Sequence, residues 1–126
     1  MDMLDIREAD DVIVVTFKMA NIVDEPTIRK IGAEFEKLTL ESTVHRKLLL
    51  NFQGVTFLGS YMISQIMRLH KMCQKDQVTL KLCNISPKIY EVFQITMLHK
   101  VLSIYDTVGK ALSAFNSKLK RWFGGR

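Results

Sequence analysis

The sequence predicts one α/β domain, a small mixed sheet of about five strands with four helices packed on it. Two observations carry this. Apolar runs of strand character alternate with segments whose apolar residues recur every three or four positions, in the order β-β-α-β-α-β-α-β-α. One run, KLLLNF at residues 47–52, is apolar without alternation, as expected of a central strand covered on both faces. With 126 residues, 48% of them hydrophobic, the chain can bury a core without disulfide or metal support.

The elements follow in order. Residues 4–8 form a first strand, Asp10 and Asp11 a tight turn, and VIVVTF at 12–17 the second half of a hairpin. Asp24 can cap a helix whose first turn accepts Pro26, and Ile28, Ile31, Phe35 and Leu38 give it one apolar stripe. After the 47–52 strand, VTFLGSYMIS (residues 55–64) reads as a buried strand that stops where a helix starts, with Ser60 as its N-cap. That helix carries Met62, Ile63, Ile66, Met67, Leu69 and Cys73 on a broad apolar face. VTLKL at 78–82 alternates, so one side of that strand is expected to be partly wet. Ser86 then caps a helix that opens on Pro87, with Ile85 and Tyr90 placed for a hydrophobic staple. A strand at 101–105 follows, and Asp106 is the expected cap of a last helix striped by Val108, Leu112, Phe115, Leu119 and Trp122.

Composition narrows the function classes. The net charge is +5, but Lys118, Lys120, Arg121 and Arg126 hold +4 of it in residues 116–126, leaving about +1 elsewhere. A basic tail on a near-neutral body argues against nucleic acid as a partner. No apolar run reaches the roughly 20 residues of a membrane span, and the acidic start MDMLDIREADD lacks the pattern of a signal peptide, so a cytoplasmic location is expected. Cys73 and Cys83 match no zinc or redox spacing, and His45, His70 and His99 are scattered. No phosphate loop or dinucleotide fingerprint occurs, and around Ser60 only the preceding glycine of a nucleophile elbow is present. Neither an enzyme nor a bound cofactor or metal is expected.

Two stretches, LLLNFQGVTFLGSYMISQIMRLHKMC and VTLKLCNISPKIYEVFQITMLHKVLSIYDTVGKAL, make the chain resemble the STAS domain of anti-sigma factor antagonists. The resemblance covers roughly residues 3–115, so residues 1–115 are read as the domain and 116–126 as a basic C-terminal extension. It implies a sheet with helices packed mainly on one side. It also implies a partner, an anti-sigma factor that is a GHKL-type serine kinase, which phosphorylates the serine at the strand-to-helix junction and thereby releases the antagonist.

The family motif there is Asp-Ser-Ser/Thr-Gly-Leu-Gly. Residue by residue, Gly59 stands at the Asp, Ser60 at the phosphoacceptor and Tyr61 at the second hydroxyl, with Met62, Ile63 and Ser64 at Gly-Leu-Gly. The acceptor hydroxyl is kept, while the neighbouring acid and the small residues are not. The resemblance also places Asp24 and Glu25 near the Ser60 edge, making Asp24, Glu25, Gly59, Ser60, Tyr61 and Met62 the expected partner surface. An alternative is a STAS adaptor without the phosphorylation switch, part of a lipid-transport or signalling complex. In the extension, Leu119 and Trp122 continue the last helix's stripe, which reads either as docking onto the domain or as a basic, aromatic-tipped end that touches an anionic membrane.

Overall fold

The computed structural model describes the backbone of residues 3–41 and 46–124 and the side chains of residues 3–40 and 46–116. The expectations for the side chains of Leu119 and Trp122 therefore lie outside the described residues.

Five strands form the main sheet in the order β1-β2-β4-β6-β7. β1 (Leu4–Ala9) and β2 (Val12–Phe17) are antiparallel; β4 (Lys47–Asn51), β6 (Thr79–Cys83) and β7 (Ser103–Tyr105) continue the sheet in parallel. Asp10 and Asp11 both have positive φ, 51° and 67°, the pair of left-handed residues that a two-residue hairpin of matching twist requires. Two further strands, β3 (Asn21–Ile22) and β5 (Phe57–Leu58), pair in parallel as a separate ribbon. At two residues each, they are too short for any periodicity to reveal.

Helices α1 (Glu25–Glu41), α2 (Ser60–Asp76) and α3 (Pro87–Ile95) cover one face, and α4 (Val108–Gly124) lies alone on the other. The predicted bias to one side thus becomes three helices against one. Alternation sorts the strands: Val15, Phe17, Leu48 and Leu50 enter the larger core, whereas Val12, Val14, Leu49 and Cys83 meet Ala111 and Phe115 of α4. This is why KLLLN has no polar face. The partly wet side of β6 lies beneath α4, where Lys81 Nζ sits 5.1 Å from the Tyr105 ring centroid and 5.3 Å from that of Phe115.

Ser86 caps α3 by accepting the Ile89 N–H at 3.2 Å, with Pro87 in the first turn. Tyr90 meets the His99 ring edge-on. The expected cap of α4 is corrected by one residue: Thr107 Oγ1 accepts the Lys110 N–H at 3.1 Å, while Asp106 faces Lys110 Nζ at 3.5 Å. One polar side chain is buried at the C-terminal end of the central strand. Asn51 Oδ1 accepts from Asn84 Nδ2 at 2.8 Å and from the Gln53 N–H at 3.2 Å, and its Nδ2 donates to Thr16 Oγ1 at 3.2 Å. It stitches β2, β4 and the end of β6 together, satisfying groups that would be costly to bury alone.

Both cysteines are free and buried. Burial pushes the Cys73 thiol from its usual 9.0 up to about 12, with the Asp76 carboxylate adding to the effect, and the Cys83 thiol up to about 11. Unfolded thiols ionise near 9.0 and these do not. Their contribution to stability is therefore complete below that pH and is lost as pH rises through the folded values. Native protein should resist iodoacetamide at pH ~8 and label at both cysteines in urea. Between pH ~9 and ~11, the wild type should lose more stability than Cys73→Ala, by up to about 1.4 kcal/mol per pH unit. Equal losses in denaturant titrations would refute that assignment.

Candidate functional site

The candidate site is assembled by the β3–β5 ribbon, which ties the loop entering α1 to the loop entering α2. Thr56 N–H donates to Ala20 O at 2.7 Å, Thr56 Oγ1 reaches Ala20 O and Asn21 Oδ1 at 3.2 Å each, and Gly59 N–H donates to Ile22 O at 2.9 Å. A Cβ built on Gly59 would stand 3.4 Å from Val23 Cα. Asp24 and Glu25 follow directly, so the structure does bring the α1 start beside the Ser60 junction.

Asp24 caps α1, its Oδ2 accepting the Thr27 hydroxyl at 2.7 Å and the Thr27 N–H at 3.1 Å. The Thr27 hydroxyl, then its N–H, and more weakly Lys30 and Arg29 hold this exposed carboxyl below its usual 3.8. Glu25 is in the first turn and pairs with Arg29 at 2.6 Å. Both acids are already engaged in starting the helix.

At α2 the expected cap shifts by one residue. Gly59, extended at φ −76° and ψ 161°, is the N-cap, and its carbonyl accepts from the N–H groups of Met62 and Ile63. Ser60 is the first helical residue and does not cap. Its position follows from Gly59, whose N–H is held by β3 before the helix can begin. Ser60 is exposed, and among the described residues its hydroxyl has no hydrogen-bond partner. The N–H groups of Ser60 and Tyr61 have no carbonyl one turn back to bond, so they and the helix dipole face outward beside that hydroxyl.

Of the two bulky residues that follow, Tyr61 is 36% exposed and Met62 is 0% exposed. Met62 shares the inward stripe of Ile66, Leu69 and Cys73, so its side chain belongs to the core and not to the exposed surface. In its place the structure supplies Val23 at 51% and Phe57 at 50% exposure. The reading of residues 55–58 as a buried strand is corrected here: β5 lies outside the main sheet and turns Phe57 outward. Phe57 also rims a small groove with Ile63, Lys88, Ile89 and Val92. An apolar residue two positions before the Gly-Ser junction was the only sequence sign of this surface.

Gly59 leaves room for a side chain, because its backbone suits any residue and the contacts at 3.4–3.6 Å are ordinary. Gly59→Asp should therefore stabilise the domain by about 0.5–1 kcal/mol, through a carboxylate cap and a less flexible unfolded chain. A thermal midpoint raised by about 2–4 °C would register it. A lower midpoint would show that the junction does not tolerate a side chain.

No group of His, Cys, Asp or Glu among the described residues is placed to hold a metal ion, and no helix there is long and apolar enough to cross a membrane. The site is an exposed hydroxyl at a helix start, with exposed Val23, Phe57 and Tyr61 on the segments that meet there.

No curated protein sequence matches the chain closely enough to count as a relative. Solved structures do resemble it. An anti-sigma factor antagonist from Mycobacterium paratuberculosis superposes with a TM-score of 0.77 at 22% identity, over 88% of this chain and 91% of that one. A STAS domain protein from Planctomyces limnophilus gives 0.70 at 25% identity, over 88% and 96%. The phosphorylated form of the Bacillus cell fate determinant SpoIIAA gives 0.68 at 16% identity, over 89% and 98%. The family model of the STAS domain matches residues 3–111. With that match spanning most of the sequence and the five-stranded mixed sheet beneath it, the chain belongs to the STAS domain family.

Proposed function

We propose that the protein is an anti-sigma factor antagonist, a cytoplasmic regulator of transcription that acts by binding and not by catalysis. Its partner is a GHKL-type serine-kinase anti-sigma factor, which docks on the Ser60 end of the sheet and is released when Ser60 is phosphorylated. One observation carries this reading: the Ser60 hydroxyl is exposed and unbonded among the described residues, in a helix's first turn, beside exposed Val23, Phe57 and Tyr61. A phosphoacceptor must be accessible and unengaged, and the apolar rim provides area for a partner to cover. Asp24, Glu25, Gly59 and Tyr61 border the contact; Met62 supports it from within.

A second reading keeps the binding and drops the switch. Gly59 carries no acid and Tyr61 places a bulky ring next to the hydroxyl, which suits a STAS adaptor in a lipid-transport or signalling complex. Affinity capture from native extract, with phosphopeptide mass spectrometry on the bait, separates the two. A serine kinase in the capture with phosphate on Ser60 supports the antagonist; a transporter component with unmodified Ser60 supports the adaptor.

A further inference from the structure

β1 is an edge of the main sheet, and among the described residues no strand lies on its outer side. Its ladder with β2 decides which backbone groups face that edge. Asp5 stands opposite Thr16, Ile6 opposite Val15 and Arg7 opposite Val14. Lys18 N–H donates to Met3 O at 2.9 Å, so Met3 directs its groups toward β2, and by the alternation of an antiparallel pair Asp5 and Arg7 do the same. Leu4 and Ile6, between them, direct N–H and C=O away from the sheet. Among the described residues nothing bonds to those groups of Ile6.

The side chains of this edge are complementary to themselves. Ile6 is a large apolar residue 43% exposed. On the opposite face Asp5 and Arg7, two residues apart, pair at 2.8 Å and are both accessible. An acid and a base placed evenly about one central residue match the same strand turned through a two-fold axis.

We propose that β1 pairs with β1 of a second copy of this chain, antiparallel about a two-fold axis at Ile6, joining the two main sheets edge to edge. The two Ile6 residues exchange both of their outward hydrogen bonds, and their side chains meet on one face. On the other face, Asp5 of each copy stands opposite Arg7 of the other, in a non-hydrogen-bonded pair, where facing side chains approach most closely. The same charges oppose other registers, since an axis at Asp5 or at Arg7 sets like charges directly against each other. Such an isologous contact closes at two copies. One strand edge buries less surface than an obligate interface, so the dimer dissociates on dilution. It needs neither a kinase nor phosphate, and stands or falls apart from the Ser60 switch.

Sedimentation equilibrium of the full-length protein, from ~10 μM to ~1 mM, should show a monomer–dimer equilibrium. Asp5→Arg alone and Arg7→Asp alone should each weaken self-association at least tenfold, because each places like charges face to face. An equimolar mixture of these two variants should dimerise again, since every facing pair is then of opposite charge. Ile6→Pro should also be monomeric, because it removes an edge donor that the ladder with β2 does not use. Unchanged circular dichroism would show that each variant is folded, and the charge variants carry the test if Ile6→Pro is not. The proposal is overturned by a wild type that stays monomeric at ~1 mM, by growth beyond two copies, by wild-type dimerisation of either charge variant, or by a mixture that fails to associate.

Discussion

Ser60→Asp, or wild type carrying phosphate at Ser60, should unfold at the wild-type midpoint yet bind the kinase partner at least tenfold more weakly. The two halves of this result have different physical origins. Within the domain, the new charge lies in the first turn of α2, where the unpaired N–H groups and the helix dipole favour an anion, so the fold tolerates it. In the complex, a partner covering Val23, Phe57 and Tyr61 would have to remove water from a group of about −1.5 to −2 charges. A loss of only about 1.4 kcal/mol is tenfold in affinity, and an unpaired buried anion costs more. Ser60→Ala should bind as wild type and accept no phosphate. Because the hydroxyl caps nothing, that substitution should also leave stability within about 0.5 kcal/mol, the range of an exposed change. Calorimetric titration of the three proteins with the kinase is the measurement, and equal affinity for wild type and Ser60→Asp would end the switch hypothesis.

Phe35→Ala should destabilise the domain by about 3–5 kcal/mol. Phe35 is 0% exposed in the middle of α1, its ring edge-on to Phe17 at 6.3 Å, and Phe17 in turn lies 4.7 Å from Phe52. The three rings connect α1, β2 and the end of β4, where elements from distant parts of the chain meet. Deleting the first ring removes its buried area and its aromatic contact and leaves a cavity that a surrounding sheet and helix cannot easily collapse. For a domain of ordinary stability, about 5–15 kcal/mol, that is a large share. Urea titration should show a lower midpoint at an unchanged slope, and Phe35→Leu should recover most of the loss. A loss under ~1 kcal/mol would mean that the ring cluster is not a centre of the core.

The elements that were legible carry their instructions locally. Ile28, Ile31, Phe35 and Leu38 are spaced to share one side of a helix, and all four are buried. Ser86 and Pro87 mark a helix start within two residues, and the hairpin needs only two acids that accept left-handed backbone. The cap positions at α2 and α4 each moved by one residue, because neighbouring Gly59 and Ser60, or Asp106 and Thr107, are all acceptable caps. At α2 the choice follows from the hydrogen bond between Gly59 and Ile22, residues that are remote in the chain.

The candidate surface was harder to read for the same reason. Whether Tyr61 or Met62 faces out depends on the rotation of α2, and the inward stripe of Met62, Ile66, Leu69 and Cys73 could have indicated it. Val23 and Phe57 had no such signal. Asn51, at the end of an apolar run, shows its purpose only once Thr16 and Asn84 are beside it.

Thus short-range chemistry alone specified the number and kind of the main elements, the buried central strand and the hydroxyl at the junction. Long-range pairing settled the rest: the ribbon of β3 and β5, the outward turn of Phe57, the burial of Met62 and the exposure of Ser60. Periodicity and capping act within a few residues, whereas the exposure of a side chain depends on which distant segment packs against its neighbours.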